Sequence, residues 1–311
     1  MKHFIESQQF GRADLEDFFS RTGEIKKLFI DPAARQQLKS LLPGKHMHIL
    51  FCEPSTRTRF CFGDAGIRLG MTASQTENGE EFSSLVKNGS FEDEIRSLCS
   101  FKPDVIVIRH KEEGASKRAA AVIDRYNYET SVINAGDGTG QHPTQSLLDL
   151  YTIMSCKKSA DNLHVTVGGD LANGRTARSL VYLLTKFENV TFSFVSPHNL
   201  RMKSDILAHL QEHGVRFEET TRFHASLERA DVVYWTRVQE ERGGVNSDLD
   251  LTIGPEEMKL MKEDAILLHP LPRVGEISQL VDDDPRAKYF EQVENGLYVR
   301  MQLLRMLLQG K

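Results

Sequence analysis

The 311-residue sequence predicts an α/β protein of two lobes, each a parallel sheet flanked by helices. Two observations carry the prediction. Short apolar runs alternate with stretches of helical periodicity along the chain, the pattern of parallel strand–helix units. Each run also ends in polar, glycine or proline residues, with no repeat, low-complexity tract or Pro/Ser-rich linker to break the alternation.

In the first half the expected strands are His46–Phe51, Thr72–Gln75, Val105–Ile108 and Val132–Asn134. After the first of them, FCFGDAGIRLG reads as a helix with Phe62, Ala65 and Leu69 on one side. HPTQSLLDLYTIM opens with Pro143, suited to a first helical turn, and sets Leu147, Leu148, Tyr151 and Met154 on one apolar face. It is expected to join the lobes. The second half offers strands Leu163–Val167, Thr191–Val195, Val215–Phe217, Val232–Trp235 and Ile266–His269. A terminal helix follows, striped by Val299, Leu303, Met306 and Leu307. The expected domains are residues 1–141 with helix 292–311 returning to them, and residues 142–291. Such a crossover leaves a cleft between the lobes, the expected place for an active site.

Composition narrows the function. A formal net charge of −5 argues against nucleic acid or an anionic membrane as main partner, since both call for a basic surface. Cys52, Cys61, Cys99 and Cys156 have no CxxC spacing and form no zinc-type cluster, so reduced thiols in a cytoplasmic protein, with no metal, are expected. The start, MKHFIESQQF, lacks the apolar core of a signal peptide. No apolar run approaches the ~20 residues that span a bilayer.

The unusual residues gather at strand ends, where open parallel sheets bind ligands. In FCEPSTRTRF the strand HMHILF gives way to a helix start, whose unpaired N–H groups and partial positive charge favour an anion. Ser55, Thr56 and Thr58 add hydroxyl donors, and Arg57 adds a fork matched to phosphate. The plainer alternative is that Ser55 caps the helix and the arginines are solvated. Arg109, Arg175 and Arg237 each follow a strand and together suggest a substrate with several negative groups, carboxylate or phosphate. GGDLANGRT fails the dinucleotide fingerprint at Asp170, and no GxxxxGK[ST] is present, so the phosphate partner should be small and no cofactor is expected. His142 and His269 lack a nucleophile with an orienting acid, which leaves acyl-enzyme chemistry unsupported and a structural role for either open. Glu53 could act as a base or hold the arginines in place.

Taken in order, FCEPSTRTRFCF, VIRHKEEGA, NAGDGTGQHPTQSLLDLYTI, GDLANGRTARSL, YWTRVQEER, LHPLPRVGEI and NGLYVRMQLL resemble the aspartate carbamoyltransferase catalytic chains. STRTR and HPTQ are shared with ornithine carbamoyltransferases, whereas TRVQ and HPLPR resemble the aspartate branch. The resemblance implies transfer of a carbamoyl group from carbamoyl phosphate to L-aspartate in pyrimidine (UMP) biosynthesis; another amino acid substrate, or a weakly active binding homologue, is the alternative. It implies that carbamoyl phosphate is bound first, in the first domain, and held by Ser55, Thr56, Arg57, Thr58, Arg109, His142 and Gln145, with Pro270 and Leu271 helping from the second domain. Thr58, Arg109 and His142 would be catalytic. The second domain would bind aspartate through Arg175, Arg237, Gln239 and Leu271. Glu53 and Arg242 would serve domain closure, and a homotrimer would lend Ser84 and Lys87 from a neighbouring subunit's loop. A regulatory chain or a dihydroorotase partner is left open. The sequence departs from the family pattern at Cys61, Gly63, Arg178 and Gly275, and in the loop, where Asn88 stands in place of lysine and Gly89-Ser90 in place of Gly-Glu.

Overall fold

A computed structural model describes residues 1–76, 90–238 and 250–310. The chain divides into two compact units, Met1–Thr144 with Asn295–Lys311, and Gln145–Glu294. Both divisions fall three residues beyond the expected 141/142 and 291/292 boundaries.

The first unit holds a four-stranded parallel sheet in the order β2-β1-β3-β4, made of β1 (His46–Phe51), β2 (Thr72–Thr76), β3 (Val105–His110) and β4 (Ser131–Asp137). Its helices are α1 (Arg12–Ile30), α2 (Thr56–Arg68), α3 (Phe91–Ser100) and α4 (Ala115–Arg125). β1, β3 and β4 are buried almost throughout, as near-continuous apolar runs covered on both faces should be. Edge strand β2, TASQT, is largely exposed. On α2 the expected stripe of Phe62, Ala65 and Leu69 is fully buried.

The second unit holds a five-stranded parallel sheet, β7-β6-β5-β8-β9, from β5 (His164–Gly168), β6 (Thr191–Val195), β7 (Arg216–Thr220), β8 (Val232–Trp235) and β9 (Ile266–Leu268). Its helices are α5 (Pro143–Lys157), which starts two residues before the division, α6 (Arg175–Leu184), α7 (Ser204–Glu212), α8 (Phe223–Arg229) and α9 (Pro255–Leu260). The terminal helix α10 (Tyr289–Leu308) begins in this unit and continues into the first. Trp235, Phe223, Val233, Leu267 and Tyr289 centre one core of the second unit.

Three expectations need correction. The β7 strand runs Arg216–Thr220, later than Val215–Phe217, because an edge strand can carry Arg216 and Glu218 toward water. Helix α5 does not bury a single apolar face: Met154 is half-buried, whereas Leu150 and Ile153 are fully buried, as are Thr144, Ser146, Asp149 and Thr152. Polar groups tolerate that burial only when hydrogen-bonded, and Thr152 meets the need by donating to Leu148 O at 2.7 Å. On α10 the buried surface is likewise wider than the stripe, taking in Tyr298, Met301, Leu304 and Leu308, with Met306 half-buried.

Each sheet has a point where the chain reverses its direction of growth. In the first, β1 leads outward to β2 and the chain returns to lay β3 on β1's other side; in the second, β5 leads to β6 and β7, and β8 returns beside β5. Ligands of open parallel sheets bind at the carboxyl ends flanking such a reversal.

Candidate active site

In the first unit the reversal lies between β1 and β3. Ser55 stands at the N-cap position of α2 with extended backbone and no capping hydrogen bond from its side chain, so STRTR forms the turn and first helical residues. Thr58 is buried, Ser55 half-buried, and Thr56 and Arg57 are exposed. Arg109 falls one residue inside the end of β3, not after it, opposite Phe51 of β1. Its backbone carbonyl accepts from Cys52 N at 2.8 Å. This pairing brings Arg109 to the STRTR turn: its Nη2 lies 3.4 Å from Glu53 Oε1, and Nη1 donates to Ala135 O of β4 at 3.4 Å. Glu53 is thus placed to hold an arginine, the second of the two roles open to it.

The neighbouring end of β4 carries the loop to His142. Asp137 ties that loop down, accepting from Gln141 N and Gly114 N at 2.9 Å each. Gly138, at φ +47, has no room for a side chain, since a β-carbon would meet Lys111 O at 2.6 Å. His142 is buried directly before α5, its Nδ1 3.4 Å from the buried Thr144 hydroxyl.

In the second unit the reversal lies between β5 and β8. β5 ends at Gly168; Gly169 and Asp170 come next, and the turn leads to α6, whose first residue is Arg175. Asp170 fixes the turn by accepting from Asn173 N at 3.0 Å. Arg175 is 6% exposed, so the sequence's polar turn delivers a guanidinium into a buried setting. Arg237 follows β8 and donates to Val238 O at 3.2 Å. Next in the sheet, β9 leads to Pro270 and Leu271. Leu271 has φ +54, a left-handed conformation that is costly for leucine, and its N–H donates to His269 Nδ1 at 2.8 Å. That bond leaves the other ring nitrogen, Nε2, facing Glu276 Oε1 at 2.7 Å. Burial would raise the Glu276 pKa, but hydrogen bonds from His269 and Val274 N outweigh it and hold the carboxyl below its ordinary range. Structural support of Leu271 is therefore what His269 does.

Gln145 lies in the first turn of α5, with Nε2 donating to Asp149 Oδ1 at 2.8 Å. Asp149 is a site-region residue the sequence reading missed, although its i, i+4 spacing from Gln145 on a helix was legible. Gln292 was missed with it, and no local spacing connects it to α5 at all. Ser84, Lys87, Gln239 and Arg242 lie outside the described residues. At two departures from the family pattern, Arg178 pairs with Asp205, and Cys61 Sγ accepts from Arg300 Nη1 at 3.3 Å.

One group among the described residues brings possible metal-ligating side chains together, a grouping that CxxC spacing and zinc-type clusters in the sequence do not single out. His209, Glu212 and His213, on the surface at the end of α7, have ligand atoms within 4.8 Å of one another. Burial and the adjacent His213 lower the His209 pKa. The grouping stands apart from the strand ends described above.

Residues 2–155 match the family model "Aspartate/ornithine carbamoyltransferase, carbamoyl-P binding domain", and residues 161–307 match the "Asp/Orn binding domain" of the same family. The chain belongs to the aspartate/ornithine carbamoyltransferase family. It is 45% identical to the chloroplastic aspartate carbamoyltransferase of Oryza sativa subsp. japonica over 99% of this chain and 85% of that one. Identity to the aspartate carbamoyltransferase catalytic subunit of Methanocella arvoryzae is 39%, over 99% and 97% of the two chains. The aspartate transcarbamoylase of Trypanosoma cruzi, solved with carbamoyl phosphate and aspartate, is similar at a TM-score of 0.91 and 36% identity, covering 99% of this chain and 97% of that one. The carbamoyltransferase fold of two parallel-sheet units is therefore shared. No described helix of this family member is long and apolar enough to cross a membrane.

Proposed function

We propose that the chain transfers the carbamoyl group of carbamoyl phosphate to the amine of L-aspartate, giving N-carbamoyl-L-aspartate and phosphate for pyrimidine biosynthesis. The observation that carries this reading is that, in a chain of this family, both sheets place guanidinium groups at the strand ends flanking their reversal points.

The first unit is the carbamoyl-phosphate domain in this reading. Ser55, Thr56, Arg57 and Thr58 hold the phosphate through hydroxyls, a guanidinium and the α2 amino terminus. Arg109, kept in place by Glu53, reaches phosphate and carbonyl oxygen. His142 donates to the carbonyl. Gln145 and the backbone carbonyls of Pro270 and Leu271 accept from the carbamoyl NH2. In the second unit Arg175 takes the α-carboxylate of aspartate, and Arg237 with Gln239 takes its side-chain carboxylate; Leu271 lies beside both substrates. The free amine attacks the carbonyl carbon. Negative charge develops on the carbonyl oxygen, where Thr58, Arg109 and His142 stabilise it. The C–O bond to phosphate then breaks, and the departing phosphate accepts the amine proton. Neither a covalent enzyme intermediate nor a protein base is required, and much of the rate comes from fixing two anions in reacting geometry.

The same reading includes a cytoplasmic homotrimer in which the segment containing Ser84 and Lys87 serves a neighbour's site and Arg242 serves closure with Glu53. Exposed Phe60 and Ile67, seven apart on α2, support an interface there. Light scattering that gave a monomer at micromolar concentration would remove the trimer.

The deciding experiment is a steady-state assay of the purified protein with carbamoyl phosphate and either aspartate or ornithine. Carbamoyl aspartate should form, with ornithine inert. A folded protein that carbamoylated ornithine faster, or neither amine, would refute the proposal.

A further inference from the structure

Helix α5 buries a carboxylate where helix packing needs none. Asp149 has no exposed surface and accepts hydrogen bonds from three elements. Its Oδ1 receives Gln145 Nε2 at 2.8 Å, within α5, and Gln292 Nε2 at 2.6 Å, from α10. Its Oδ2 receives the hydroxyl of Tyr234 at 2.8 Å, from β8. Tyr234 is itself fully buried, and burial together with the adjacent Asp149 charge keeps its hydroxyl protonated far above the ordinary range.

A carboxylate only accepts, whereas a primary amide has one donating and one accepting end. Asp149 therefore dictates which end of each glutamine faces it. Gln145 must turn its NH2 inward, which commits its carbonyl Oε1 to the opposite direction. Gln292 must do the same, and its Oε1 then accepts the N–H of His269 at 3.0 Å. His269 in turn accepts the N–H of Leu271 on Nδ1, at 2.8 Å. With those N–H groups consumed, the Pro270–Leu271 turn offers carbonyl oxygens.

We propose that Asp149 is the positioning and specificity-determining residue of the carbamoyl pocket. Through Gln145 directly, and through Gln292 and His269 indirectly, it makes acceptors of the side-chain and backbone groups assigned to the carbamoyl nitrogen. The pocket thus selects an acyl phosphate that bears NH2 over one that bears a methyl group. The proposal rests on the assignment of Gln145, Pro270 and Leu271 to the carbamoyl end given under Proposed function. A site built of acceptors rejects an analogue lacking the donor because its own groups stay unpaired.

The test uses three probes on the full-length protein. Carbamoyl phosphate reports through its KM, and acetyl phosphate and inorganic phosphate report as inhibitors. Asp149→Asn lets Gln145 and Gln292 turn over. It should raise the carbamoyl phosphate KM by about 10- to 100-fold, the loss expected for one or two hydrogen bonds, with both inhibition constants within about threefold of wild type. Gln145→Ala should show the same selective loss, and the double variant should fall short of the product of the two single effects. Parallel weakening of all three probes in Asp149→Asn would mean general distortion and would overturn the proposal, as would multiplicative single effects. Should Asp149→Asn fail to fold, Gln292→Met carries the test, since it leaves Asp149, Gln145 and Tyr234 in place. A selective loss there supports the proposal and an unselective or absent one overturns it. If Gln145→Ala left carbamoyl phosphate unaffected, the underlying pocket assignment would fall instead.

Discussion

Replacing Gly168 by alanine should damage the second unit where the groups proposed to bind aspartate are mounted. Gly168 ends β5 beside Trp235, which ends β8 two residues before Arg237. A β-carbon on Gly168 would lie 2.1, 2.3 and 2.6 Å from Cζ3, Cη2 and Cε3 of the indole. Carbon atoms rest about 3.5–4.0 Å apart, so the ring or the strand must move by more than about 1 Å. The ring has little freedom to do so. It is fully buried, its Nε1–H donates to Leu251 O at 2.9 Å, and Phe223 packs against it with centroids 5.1 Å apart. Overpacking of this kind costs about 1–3 kcal/mol, and the rigid partner argues for about 3. With a urea slope of about 1–3 kcal/mol per M, the unfolding midpoint should fall by about 1 M or more. Trp235 is the chain's one tryptophan, so its emission follows the second unit directly. The displaced indole should also shift Arg237 and raise the aspartate KM. A variant with wild-type midpoint, emission maximum and aspartate KM would refute the reasoning.

Three further outcomes are expected. Arg57→Ala should weaken both carbamoyl phosphate and inorganic phosphate by at least about 10- to 100-fold, the worth of a charge-assisted contact, read by competition against the substrate; equal affinity would remove Arg57 from the phosphate site. Arg237→Ala should raise the aspartate KM by about the same factor with carbamoyl phosphate binding unchanged, and unaltered aspartate kinetics would show that the second-unit assignment is wrong. Stability should decline on mild acidification. Burial, first of all, lowers the pKa values of His48, His164 and His209, so the native state binds fewer protons there than the unfolded chain. The stability these neutral rings contribute is complete above the ordinary histidine value of about 6.5 and is lost as pH falls below it toward the native pKa values. Calorimetry from about pH 7.5 to about pH 5.5 should show a falling Tm, and a constant or rising one would contradict the argument.

Much of this protein is written locally. Strands β1, β6 and β8 have the ends read from sequence, because a buried parallel strand must be apolar throughout and stops where polar residues begin. Ser55–Thr58, Arg175 and Arg237 could be singled out because each follows such a strand, and Arg109 because it closes the apolar run of β3. What the sequence does not contain is which strands become neighbours. Arg109 meets Glu53 only because β3 returns to pair with β1, and that pairing is settled by burial of whole faces. GGDLANG fails the nucleotide signature already in sequence, at Asp170, but only the fold shows what its glycines are for: Gly168 yields space to Trp235, and Gly169, at φ +101, lies against Thr236. Asp149 reads as one acidic residue on a polar helix face, yet its meaning comes from Tyr234 and Gln292, 85 and 143 residues away. Local periodicity specifies elements because it reflects the backbone's own repeat. Hydrogen bonds between buried side chains depend on how those elements are stacked, and only the tertiary structure decides that.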